Sequence, residues 1–271
     1  MAKNFKMEKI NIFKKIYRKI IYKLSKKFFS SEISLKQQNK NFENINLNRQ
    51  EGLEKLNIVL NKLFNEEYNE KNGMFSEHLI LLSSFSINSK TLIKNILEIG
   101  TFDGRTALIL SELFREANIL TVDLDENSEF KSIYNRSLNS EKFCQKRDSI
   151  ISKNKKIKFL PINSVQLINS DNTFDLIWID GAHGYPVVTV DIINSLRMIN
   201  EEGWIFIDDV WQRVDSEDNY YKSTASYETI KTLKDSNLIS NFNLIPKRLG
   251  HDFNLSWEKK FIGLFQKNTK L

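Results

Sequence analysis

Asp180, His183 and the adjacent pair Asp208-Asp209 have the residue types and spacing to do chemistry. Imidazole is the side chain best poised to accept a proton near neutral pH. Three carboxylates brought together would be hard oxygen donors of the kind that suits Mg²⁺ or a similar ion. Each acid closes an apolar run, Phe174-Asp-Leu-Ile-Trp-Ile-Asp180 and Trp204-Ile-Phe-Ile-Asp-Asp209, so they are expected at the ends of two adjacent buried strands. His183 is expected to act as a base beside that crevice, with a place in the metal shell as its alternative. Strand-end capping is the plainer role for the acids, and His78 and His251 read as structural.

A second constellation lies upstream, in Asn95-Ile-Leu-Glu-Ile-Gly-Thr-Phe-Asp-Gly-Arg-Thr106. The apolar run ending in Glu98-x-Gly100-x-x-x-Gly104 predicts a buried strand that turns tightly into a helix. Glycine suits a backbone with special dihedrals or a close approach, and the helix start near Thr106 presents unpaired N–H groups. The dinucleotide fingerprint Gly-x-Gly-x-x-Gly is not met, because Phe102 and Arg105 stand where a pyrophosphate needs bare backbone. Ile119-Leu-Thr-Val-Asp-Leu-Asp125 predicts the next strand. Asp123 lies 19 residues past Gly104, about where a carboxylate grips a ribose diol in nucleotide-binding βαβ units.

These residues resemble motif I and the following acidic strand end of class I S-adenosylmethionine-dependent methyltransferases. Phe174-Asp-Leu-Ile-Trp-Ile-Asp-Gly-Ala-His-Gly-Tyr185 and Gly203-Trp-Ile-Phe-Ile-Asp-Asp-Val210 resemble the fourth and fifth strands of the small-molecule O-methyltransferase branch, which includes catechol-type, macrocin-like and cephalosporin-pathway enzymes. The likeness spans roughly residues 74 to 265. It implies that Gly100, Thr101, Gly104 and Thr106 hold the methionyl end of S-adenosylmethionine, and that Asp123 holds the ribose hydroxyls. Asn163 and Ser164 would lie on the adenine side, Asp180 beside the cofactor, and Glu98 would orient the loop or the amine. In catechol-type relatives the ends of the fourth and fifth strands hold the metal, with Asp-Asn where this chain has Asp208-Asp209. His183 stands where those enzymes have their catalytic lysine. The resemblance thus implies an O-methyltransferase acting on a small molecule such as a sugar, a glycosylated metabolite or a phenol, with Mg²⁺ at Asp180, Asp208 and Asp209.

The elements that must position these residues follow from pattern. Strands are expected at 95 to 99, 119 to 123, 157 to 162, 175 to 180 and 204 to 208, separated by stretches long enough for crossover helices. That alternation predicts an α/β fold with a parallel sheet wrapped by helices. Strands at 241 to 247 and 260 to 266 lack a helix-length gap and suit an antiparallel edge hairpin. Together with the resemblance, this gives a Rossmann-like methyltransferase fold with seven strands and helices on both faces. Leu53, Leu56, Val59, Leu60 and Leu63 predict a helix, and the apolar segment Phe75 to Phe85 precedes the first strand. Residues 49–271 are taken as the methyltransferase domain with a helical cover, 30–48 as a polar linker, and 1–29 as a basic amphipathic helix. The segment from Trp211 to Ser226, with Tyr220 and Tyr221, is expected to face the acceptor.

Composition narrows the function classes. A chain of 271 residues with 41% hydrophobic residues can bury a full core. One cysteine and three histidines exclude a disulfide framework or a Cys/His zinc cluster and suit a reducing compartment. The net charge of +6 belongs to the amino-terminal segment: residues 1–29 hold ten Lys/Arg and one acid, which leaves 30 basic against 33 acidic residues in the rest. Ile10, Phe13, Tyr17, Ile20, Ile21, Leu24 and Phe28 recur there near helical spacing, which suits an anionic membrane surface or a partner subunit. No apolar run approaches the roughly 20 residues of a membrane span, so a cytoplasmic protein, peripheral at a membrane or assembled as a homo-oligomer, is expected. A nucleic-acid methyltransferase is disfavoured by the body's net of −3 and by Ile-Asp-Gly-Ala in place of an Asp/Asn-Pro-Pro-Tyr element. A non-catalytic, membrane-associated cofactor-binding module is disfavoured by the retention of Gly100, Gly104, Asp123, Asp180 and His183.

Overall fold

The computed structural model describes residues 35–69, 77–89, 91–125, 140–214, 222–247 and 260–269. The expected basic helix at 1–29, His251, Tyr220 and Tyr221 lie outside the described residues. Among the described residues three helices come first: α1 (Leu35–Glu43), α2 (Arg49–Phe64) and α3 (Glu77–Asn88). There follow β1 (Asn95–Ile99), α4 (Arg105–Leu113), β2 (Asn118–Asp123), α5 (Ser140–Ile151), β3 (Ile157–Pro161), a 3-10 turn (Ser164–Asn169), β4 (Phe174–Ile179), α6 (Val187–Met198), β5 (Ile199–Trp211), α7 (Ala225–Asp235), β6 (Ile239–Pro246) and β7 (Lys260–Lys267).

The seven strands form one sheet in the order β3-β2-β1-β4-β5-β7-β6. The five strands from β3 to β5 pair in parallel, whereas β7 runs antiparallel to both β5 and β6. This is the mostly parallel, Rossmann-like sheet with an antiparallel edge hairpin that the alternation and spacing predict. Successive strand residues point to opposite faces, and here both faces are apolar. Ile96, Leu176, Trp178 and Phe206 pack under α2, α3 and α4, while Leu97, Ile99, Ile177, Ile179, Ile205 and Ile207 pack against α6 and α7. Central strands covered on both faces therefore read as nearly continuous apolar runs.

Local sequence explains the helical cover. Asn48 caps α2 by accepting hydrogen bonds from the N–H groups of Gln50 and Glu51, and Asn65 closes it in the left-handed conformation with φ 56°. Leu56, Val59 and Leu60 are buried, and Leu53 and Leu63 partly so, which matches the predicted stripe. Arg49 and Glu77 form a buried ion pair that ties the start of α2 to the start of α3.

The polar stretch expected to be a linker at 30–48 is instead helical over Leu35–Glu43. Gln38 and Phe42, four apart, share one helix face and are both fully buried. Gln38 also donates to the carbonyl of Pro246 at 2.8 Å. An isolated nine-residue helix is marginal in water, but burial of a phenylalanine contributes about 1.5–3 kcal/mol. Two well-placed contacts thus order a segment whose composition alone suggests a loop. Among the described residues no helix is long and apolar enough to cross a membrane.

Candidate active site

The carboxyl ends of β1, β2, β4 and β5 meet at the switch in strand order between β1 and β4, where open α/β sheets build their ligand crevices. Gly100 has φ +104°, and a Cβ there would lie 2.2 Å from the carbonyl oxygen of Asp180. The close approach that requires glycine is therefore to the chain's own β4 end. Gly104, with φ +78°, caps α4 and faces Ile151 and Arg147 of α5. Thr106 is the half-buried second residue of α4.

Side chains beneath the loop fix its shape. Glu98 and Thr121 are register partners on β1 and β2, and the Thr121 hydroxyl donates to Glu98 Oε2 at 2.5 Å. Thr101 Oγ1 lies 2.6 Å from the same hydroxyl. Asp123 accepts from the Phe102 N–H at 2.8 Å and from the Leu124 N–H at 2.7 Å, and so holds Phe102 in its left-handed conformation of φ 46°. Glu98 is fully buried, and burial pushes its carboxyl up to about 8 despite the Thr121 hydrogen bond. Its Oε1 has no hydrogen-bond partner among the described residues. A buried acceptor left unpaired costs free energy, and beside a positive-φ glycine turn it suits a cationic amine from a ligand.

Asn163 and Ser164 follow β3 as expected, and both have duties in the fold. Asn163 caps the 3-10 turn by accepting from the Val165 N–H at 3.0 Å. Ser164 opens that turn near Asp191 of α6, a buried carboxyl that desolvation pushes up to about 7 and whose oxygens have no hydrogen-bond partner among the described residues.

Asp180, His183, Asp208 and Asp209 come together. His183 Nε2 lies 3.7 Å from Asp180 Oδ1 and 4.0 Å from Asp209 Oδ2. Burial lowers the His183 pKa, while Asp209 and Asp208 pull it upward less strongly, so the imidazole is neutral and able to accept a proton near pH 7. Asp180 is pushed well above the ordinary carboxylate range by burial and then by the Asp208 charge. Asp209 has φ 50° and sits in a bulge where the β5–β7 register shifts between Ile207 and Val210. The bulge breaks the two-residue alternation, so neighbouring acids reach one partner.

That partner is a cation of the chain itself. Lys247, just past β6, places Nζ 2.5 Å from an oxygen of Asp208 and 2.5 Å from one of Asp209; the Asp209 contact has hydrogen-bond geometry. Lys260, the first residue of β7, lies 2.8 Å from the other Asp209 oxygen. The Lys247 charge, with that of Lys260, holds Asp209 far below the usual range against the effect of burial. His78 of α3, stacked on Trp178 at 4.9 Å, brings Nδ1 to 3.6 Å from Asp208 Oδ2, and burial lowers its pKa to about 4.

The three acids expected to hold Mg²⁺, Asp180, Asp208 and Asp209, do come together, with Lys247 against Asp208 and Asp209. Among the described residues no three acidic, histidine or cysteine side chains form a group that could hold a metal ion, and one oxygen of Asp208 and both of Asp209 face ammonium groups. Lys247, Lys260 and His78 are the site residues that sequence reasoning missed. For the lysines the one signal was position, at the two ends of the gap between the predicted edge strands.

Comparisons with known proteins agree with this architecture. The family model described as a methyltransferase domain matches residues 97–210, from β1 to the end of β5. An O-methyltransferase from Bacillus cereus, solved in complex with SAH, superposes with a TM-score of 0.50 at 17% identity, covering 79% of this chain and 91% of that one. TomG, an O-methyltransferase from Streptomyces achromogenes involved in tomaymycin synthesis and solved with SAM, gives a TM-score of 0.48 at 12% identity, covering 85% and 95%. At 17% identity the likeness to the Bacillus cereus enzyme is one of fold. No curated protein matched the sequence.

Proposed function

We propose, from the premise that residues 97–210 form a methyltransferase domain, that this chain is a cytoplasmic S-adenosylmethionine-dependent O-methyltransferase acting on a small hydroxylated acceptor such as a sugar or a phenol. The observation that carries this is the buried, unpartnered Glu98 Oε1 under the Gly100 turn, on the same sheet edge as Asp123 and a neutral His183. Glu98 would meet the amine of the cofactor, Asp123 the ribose hydroxyls and Asn163 with Ser164 the adenine side, with Gly100, Thr101, Gly104 and Thr106 against the methionyl end and Asp180 closing the crevice.

When bound, the cofactor supplies an electrophilic methyl group on a sulfonium. The protein's tasks are to align the acceptor oxygen with that methyl and to take up the hydroxyl proton. His183 would be the base: its imidazole would take up the acceptor's hydroxyl proton as the methyl group is transferred, with the Asp209 carboxylate and Asp180 beside it to stabilise the resulting charge. Burial of this corner excludes water and strengthens those interactions.

The test is incubation of purified protein with methyl-labelled S-adenosylmethionine and a panel of sugar and phenolic acceptors, beside calorimetry with S-adenosylhomocysteine and NADH. Labelled product and binding of S-adenosylhomocysteine but not NADH are expected. Asp123→Ala should weaken cofactor binding strongly. His183→Ala should leave that binding intact and slow transfer about 10²–10⁴-fold. Tight NADH uptake with indifference to S-adenosylhomocysteine defeats the proposal.

A further inference from the structure

The acid pair at the end of β5 already has its counter-charge. Lys247 Nζ touches one oxygen of each carboxylate, Asp208 and Asp209, and Lys260 Nζ takes the second oxygen of Asp209. The Lys247 side chain is 4% exposed, so its ammonium is sealed from solvent. Its backbone is fixed as well, because the Lys247 N–H donates to the Lys260 carbonyl at 2.8 Å across the hairpin. A divalent cation on the same carboxylates would need oxygens at about 2.0–2.6 Å, the space that Nζ fills. Expelling the lysine would leave a buried ammonium without a partner, which is strongly unfavourable.

We propose that Lys247, backed by Lys260, takes the place of a divalent cation at the end of β5, so that the site needs no metal and the ammonium holds Asp209 beside His183. The catalytic part of this inference rests on the methyl-transfer reading above; the metal-exclusion part does not. Lysine suits the role as a compact point charge with three donors. It neutralises the acids but offers the acceptor no open coordination position, so deprotonation falls to His183 alone.

Mn²⁺ titration of the full chain, read by electron paramagnetic resonance without cofactor or acceptor, separates the two parts. Wild type should show no saturable uptake up to about 1 mM, the weak end of protein sites for hard cations. Lys247→Met, which keeps an unbranched side chain without charge, should bind Mn²⁺ at least about tenfold more tightly, and Lys247→Met/Asp209→Asn should lose that gain. Saturable uptake by wild type that disappears in Asp209→Asn overturns the proposal, as does a folded Lys247→Met that takes up no metal. If Lys247→Met does not fold, the wild-type and Asp209→Asn titrations decide by the same criteria. Methyl transfer by wild type should be unchanged by exhaustive chelation, and a chelator-sensitive rate counts against the metal-free site. Cofactor binding is measured separately, so failure of the methyltransferase reading leaves the Mn²⁺ result standing.

Discussion

Glu98 shows how one buried atom can set both stability and affinity. Its pKa rises from 4.5 to about 8 because burial favours the neutral acid. A group raised in this way contributes stability that is complete below its unfolded value and lost as pH climbs through the folded one. Unfolding free energy from urea titrations should therefore fall between pH 4.5 and 8 in the cofactor-free protein, and Glu98→Gln should flatten that part of the profile. A ligand amine beside Oε1 favours the carboxylate, so cofactor uptake near neutral pH should also release a proton in wild type and not in Glu98→Gln. Buffers of different ionisation heat in calorimetry would detect it; equal proton release by both proteins would refute the assignment. Acids such as Asp123, Asp180 and Asp208 were legible in the sequence because each ends an apolar run. Lys247 was not, because it is one of 40 basic residues and its partner Asp209 stands 38 positions away. Long-range ion pairs leave no local pattern.

At the level of elements, apolar runs and glycines were the readable part. Six of the seven strands fall within two residues of their expected positions, and β5 extends further at both ends. The two features that pattern could not supply are irregularities of backbone and packing. One is the bulge at Asp209, which depends on pairing with β7. The other is α1, which is helical because Phe42 and Gln38 find burial far away in sequence. The Gly100 turn offers a direct test. Gly100→Ala would drive a Cβ to 2.2 Å from Asp180 O at φ +104°, whereas at Gly181 a Cβ meets nothing nearer than Ile99 Cγ2 at 3.4 Å. Gly100→Ala should lose at least about 1–3 kcal/mol of stability, the range for a strained backbone residue, and Gly181→Ala should stay within about 0.5 kcal/mol of wild type. Chemical denaturation of both variants checks the contrast, and equal midpoints would contradict the geometry.

Over the whole molecule, charge is divided by segment. Residues 1–29 carry a net of +9 and the remainder −3, so the acidic body and its basic extension answer differently to anionic surfaces. We propose that this extension lays the protein on anionic membranes. The full chain should sediment with vesicles containing about 30% phosphatidylserine at low salt, and a chain lacking residues 1–29 should remain in the supernatant with methyl transfer unchanged. Each basic residue near such a surface contributes about 1 kcal/mol, so added salt should release the full chain. A change in assembly mass without any change in sedimentation would assign the extension to a subunit contact instead.

The hairpin that supplies Lys247 and Lys260 also sets an order of events on the ribosome. Asp208 and Asp209 emerge well before the lysines that match them, the later one about fifty positions behind. Nascent chains fold progressively as they lengthen, so the earlier strands can assemble while two negative charges at their edge still depend on solvent. A translation product stalled short of β7 would possess the glycine turn and yet lack a finished reaction centre, which makes chemical competence a late event in the life of each new molecule.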